Sequence, residues 1–198
     1  MLRIDNAYEV RGRAVGAMIG TGFGALWLLL DLYAKQMLSA ADVAYVASVV
    51  LAMASGAMYL HRQAARFPRP PRNPARGRAL GRAFGWINAA EWIAIFAAWT
   101  ILGRLHLDIY GISATVGIVG LHFIPLARLF RYPLYYVTGA LMTLCAAWTA
   151  LFVPLDRMQD LAAMSAGVLL LASAAITIAL GIYAVNRSLR RAVSSAAA

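Results

Sequence analysis

Phe84-Gly-Trp-Ile-Asn-Ala-Ala-Glu-Trp-Ile-Ala-Ile-Phe-Ala-Ala-Trp-Thr-Ile-Leu102 contains one ionisable side chain, Glu91, in an otherwise apolar run. A helix needs about 20 mostly apolar residues to cross the hydrocarbon core of a bilayer. The stretch therefore reads as a membrane span that carries a carboxylate at bilayer depth. Such a group costs about 2.5–3.5 kcal/mol on insertion scales, so it is expected to have a partner or a task.

Working outward, five more runs of this kind flank it. The six expected spans cover roughly 14–34, 41–60, 83–103, 107–127, 133–153 and 161–186. The chain is 62% hydrophobic and 13% charged, against about 45–50% apolar residues in soluble domains. No polar block is large enough to fold separately. The expected fold is all-α: one integral membrane domain over 1–198 with six transmembrane helices. The polar opening, residues 1–13, lacks the apolar core and cleavage site of a secretory signal, so the first apolar run is read as a span.

Charge placement gives a direction. Arg3, Arg11, Arg13, the seven arginines from Arg62 to Arg82, Arg128, Arg131, Arg187, Arg190 and Arg191 fall on one side. Only Lys35, Arg104 and Arg157 fall on the other. This bias over short loops predicts both termini in the cytoplasm. The net charge of +10 is thereby explained without nucleic acid, for which no binding module or aromatic platform is present.

The longest connection, residues 61–82, holds four prolines and seven arginines and is expected to be extended. Arg62, Arg66, Arg69, Arg72, Arg76, Arg78 and Arg82 either contact anionic lipid headgroups or serve topology alone. In the first span, Gly12, Gly16, Gly20 and Gly24 recur every four residues and share one helix face. Such a ridge admits a second backbone closely, from an internal neighbour or from another copy in a homo-oligomer. Asp31, near the outer end of that span, is expected to reach interfacial water.

Asn88 and Glu91 lie three residues apart and so share a face. Glu91 is nine residues from Arg82, about 13 Å along a helix, and His122 is six residues from Arg128, about 9 Å. The two helices are consecutive and antiparallel, so a Glu91–His122 contact is expected in the cytoplasmic half. Pro125 frees the carbonyl of Leu121 from its usual donor and adds local irregularity. Glu91, His122, Asn88, Pro125 and Arg128 thus form the candidate site. It has three readings: a hydrogen-bonded link between helices, a proton or solute pathway, or chemistry. One His and one Glu fall short of the three protein ligands usual for catalytic zinc. No nucleophile elbow, phosphate loop or metalloprotease motif occurs. No catalytic residue, metal or cofactor is therefore assigned. Cys145 is the one cysteine and cannot form an internal disulfide. Three plus three spans is the count of an inverted repeat, although the halves share no evident sequence similarity.

Asn88 together with Gly120-Leu-His-Phe-Ile-Pro-Leu-Ala-Arg-Leu-Phe-Arg-Tyr-Pro-Leu-Tyr-Tyr136 resembles a family of small bacterial integral membrane proteins of unknown function. That family has a Trp-bearing first span, an Asn in the third span and a His-x-x-Pro motif closing the fourth. The matching residues are Trp27, Asn88, His122, Pro125 and Tyr135 or Tyr136. The resemblance implies a bacterial inner-membrane protein and carries no activity with it. On the residues themselves, the leading expectation is a small transporter or channel-like protein with Glu91 and His122 as a protonatable pair. A non-catalytic scaffold or regulator is the alternative, and an intramembrane enzyme the third.

Overall fold

The computed structural model describes residues 4, 6–69, 71 and 73–196; Arg72, one of the seven loop arginines, lies outside them. The described residues form six long helices: α1 (Ala7–Ala34), α2 (Ala40–Gln63), α3 (Pro74–Arg104), α4 (Gly111–Phe130), α5 (Leu134–Phe152) and α6 (Leu155–Ala196). Short 3-10 turns occupy Ala64–Arg66 and Asp108–Tyr110. Each of the six is long and apolar enough to cross a membrane.

Several helices run past the expected spans, for local reasons. α1 starts at Ala7 because the Asn6 side chain caps it, accepting from the backbone N–H groups of Tyr8 and Glu9. α3 starts nine residues before the expected boundary. Asn73 accepts from the Arg76 N–H, and Pro74 sits at the first helical position, where its fixed φ suits the helix and its missing N–H is not needed. The connection expected to be extended over 61–82 is therefore only 67–73; Arg62 and Arg66 end the preceding helical segment, and Arg76, Arg78 and Arg82 ride on α3. At the other end, Ser39 and Asp42 form a reciprocal capping box at the start of α2.

α6 is the central wall of the bundle and belongs to both apolar cores. One core joins Val10, Ala14 and Ala17 of α1 and Ala57 and Leu60 of α2 to Ala174, Ile178 and Val185 of α6. The other joins Val116 of α4, Met142 and Ala146 of α5, and Ala162, Ala166 and Leu170 of α6. Both are rich in alanine, which lets the helix backbones come close. Ile4 and Leu189 share the first core, and the Ala7 N–H donates to the Pro68 carbonyl. The start of α1, the end of α6 and the α2–α3 connection thus lie at one end of the bundle, called here the terminal end.

The glycine ridge of α1 is used within the chain. A side-chain carbon at Gly24 would lie 2.8 Å from Leu171 Cγ and 3.0 Å from the Gly167 carbonyl oxygen, and one at Gly20 would meet Ala174 and Leu170 of α6. Gly16 faces the Tyr135 hydroxyl, while Gly12 has nothing against it. Hydroxyls tie the other helices together: Ser113 to Thr149 at 3.2 Å, Thr138 to Ser173 at 2.7 Å, and Tyr132 to Thr177 at 3.2 Å.

α3 stands apart. It packs along α4 and the 3-10 turn before it, and none of its residues is buried. α5 meets α6 in the second half, whereas α2 and α3 make no comparable contact in the first. The helix pairing therefore does not repeat between the two halves.

Candidate functional site

The joint between α3 and α4 has three levels. Nearest the terminal end, the rings of Phe84 and Phe130 lie 5.9 Å apart. Near the opposite end, Trp99 Nε1 donates to Thr115 Oγ1 at 3.0 Å, and Gly111 provides the flat ground under that indole, since a Cβ there would strike the ring at 2.5 Å. Between these lie Glu91 and His122. His122 Nδ1 is 3.4 Å from Glu91 Oε2, with side chains 9% and 14% exposed respectively.

Helix geometry brings these groups together. Residues 80, 83, 87, 91, 95, 98 and 102 of α3, spaced three and four apart, are partly covered and form its docked stripe, with 88, 89 and 103 partly covered beside it. Glu91 is the stripe's only ionisable group. His122 Nδ1 is buried and does not complete a hydrogen bond; the Glu91 contact has ion-pair distance without hydrogen-bond alignment.

The chemistry available is that of one shared proton. With a single proton between the carboxyl and the imidazole, the pair has no net charge, whichever atom holds it. A second proton leaves a net cation, and loss of the first leaves a net anion. Either state is costly in apolar surroundings.

The remaining members of the expected site do not join the pair. Asn88 turns back along its own helix, with Nδ2 donating to the Phe84 carbonyl at 2.8 Å. This is the local bond by which short polar side chains satisfy themselves on a helix. Pro125 lies inside α4 and is exposed, as is Arg128. No ion pair joins Arg128 to Glu91 among the described residues. Two open cavities, of about 220 and 300 Å³, lie elsewhere. The first is bounded by Cys145, Trp148 and Met164 and the second by Leu102, Tyr110 and Thr143, and neither touches Glu91 or His122. Among the described residues no three His, Cys, Asp or Glu side chains gather in a group able to hold a metal ion.

Sequence reasoning missed a second polar cluster. Asp31, expected to be solvated, is 7% exposed; it pairs with Lys35 Nζ at 2.7 Å, which also reaches Asp160 of α6 at 3.6 Å. Burial opposes the Lys35 charge, yet the bonds and charges of Asp31 and Asp160 raise its pKa above the usual 10.5. The i, i+4 spacing of Asp31 and Lys35 was the available signal. A second missed contact is Arg13 over the ring of Tyr132, 5.6 Å from its centroid, which ties α1 to the α4–α5 turn.

No family model, curated protein or solved structure matches this chain.

Proposed function

We propose that the protein is a multi-pass protein of a bacterial inner membrane, with its termini in the cytoplasm, that acts without catalysis as a scaffold or regulator. Its working element is α3, a full-length helix fastened to the bundle along one stripe. The observation that carries this reading is that a largely covered titratable pair in the middle of the helices, Glu91 and His122, lies in that single joint. The two described cavities lie away from the pair. The outward surface supports membrane residence: Phe96, Leu151 and Phe152 are each more than 70% exposed, as suits side chains facing lipid and as water-soluble surfaces avoid. The arginine bias supports the orientation.

A second reading, proton-coupled transport, is favoured by the depth of the pair and by Pro125 beside it on α4. Proteoliposomes loaded with a pH-sensitive dye separate the two. Under an imposed pH gradient, wild-type protein and Glu91→Gln are both expected to leak protons no faster than protein-free liposomes. A wild-type proton flux that disappears in Glu91→Gln, with the variant still monodisperse, overturns the scaffold reading and establishes transport.

A further inference from the structure

The face of α3 that turns away from α4 changes character along its length. Arg78, Arg82 and Trp86 follow one another at four-residue spacing, and Ile93 and Phe96 continue the same face. All five are exposed, Trp86 at 76% and Phe96 at 78%. A side-chain carbon at Gly81 or Gly85, beside the arginines, would meet nothing within 4 Å, so the backbone is open to close approach there. This is an uncovered face with a basic head, an aromatic collar and an apolar body.

The dimensions match one leaflet. Arg82 and Phe96 are fourteen residues apart, about 21 Å along the axis, and half of a bilayer including its headgroups is about 20–22 Å. Two guanidinium groups one turn apart match the geometry of phosphate oxygens, which arginine binds in a fork. An indole at the level below them is the side chain favoured where headgroups meet hydrocarbon. A second copy packed in parallel on this face would set arginines of like sign against each other, so charge favours an anionic occupant instead.

We propose that this face of α3 seats an anionic phospholipid, its phosphate on Arg78 and Arg82, its glycerol region beside Trp86 and an acyl chain along Ile93 and Phe96. Placing it in the cytoplasmic leaflet rests on the orientation proposed above; the binding itself does not. The lipid covers the side of α3 that the protein leaves bare and so acts as the helix's second support.

Native mass spectrometry of the detergent-purified full chain, titrated with phosphatidylglycerol or phosphatidylcholine, tests the seat independently of topology and of proton flux. The expected result is retention of phosphatidylglycerol over phosphatidylcholine by at least tenfold. That preference should be lost in Arg78→Gln/Arg82→Gln and kept in Arg187→Gln/Arg190→Gln, which removes the same charge from α6. Arg78→Lys/Arg82→Lys, which keeps the charge but not the fork, should retain an intermediate preference. Inorganic phosphate at millimolar concentration should not displace the lipid. Equal loss in the α3 and α6 double variants, no headgroup preference in wild type, displacement by phosphate, or a lipid-independent dimer each overturns the proposal.

Discussion

α1 meets α6 backbone to backbone, whereas side chains stand between α3 and α4. At the first contact Gly24 and Gly167 each leave about 3.0 Å between a would-be side-chain carbon and the other's carbonyl oxygen, so nothing larger than hydrogen fits without movement. At the second, a ring pair, a Glu–His contact and an indole–hydroxyl bond span the gap. α3 also carries Gly77, Gly81 and Gly85 at the same four-residue spacing as the α1 ridge, yet a side-chain carbon at any of them meets nothing within 4 Å. Glycine spacing therefore permits close packing without specifying it. A central helix is held by shape, and a peripheral one by a few directional contacts.

The sharpest way to break this contrast is to enlarge one glycine on each side of it. Gly24→Leu should destabilise by about 3 kcal/mol or more, at or beyond the upper end of ordinary overpacking, because the opposing Gly167 carbonyl belongs to a helix backbone and cannot move aside cheaply. Gly85→Leu should shift stability by less than about 1 kcal/mol, towards higher stability, since leucine is the better helix former. Denaturant unfolding in detergent measures both. Comparable losses would mean that α3 is packed on both faces and is not peripheral.

A smaller effect is expected at the pair itself. Glu91→Leu and His122→Phe should each cost about 1–3 kcal/mol, the penalty for stranding one buried polar partner. The double variant should cost less than either single change, because no lone charge remains. Hydrogen exchange should localise the loss to α3 amides, with α1 and α6 as protected as before. Simple additivity of the two single costs would show that the residues do not interact.

The smallest effect belongs to Asn88. Its side chain is spent on the Phe84 carbonyl of the same helix, so Asn88→Leu should change stability by no more than about 0.5 kcal/mol. Exchange rates in α3 should also be unaltered. Faster exchange around Glu91 in this variant would place Asn88 back in the site.

Much of the candidate site was legible. Helix periodicity, the 1.5 Å rise and the antiparallel order of neighbouring spans were enough to set Glu91 opposite His122, and the structure places them 3.4 Å apart. The same reasoning failed for Asn88 and Arg128, because sharing a face or a depth does not fix where a flexible side chain bonds. It also failed for Asp31. An acid near a span end was expected to turn to water, but Asp31 is buried and pairs with the partly exposed Lys35 one turn later, which also reaches Asp160 on α6. The proline-rich connection was read as extended over 61–82, whereas Asn73 and Pro74 start a helix there; composition averaged over a loop hides a single capping position.

By itself, the sequence determined six apolar helices, their order and the position of each ionisable group along its helix, because these depend only on residue type and helical rise. Which helix would be central and which peripheral was decided by the tertiary structure alone. That choice turns on whether a neighbouring backbone arrives within about 3 Å of a glycine. Such an arrival depends on the summed packing of Ala, Leu and Met from three helices, and no local pattern in α1 or α3 encodes it.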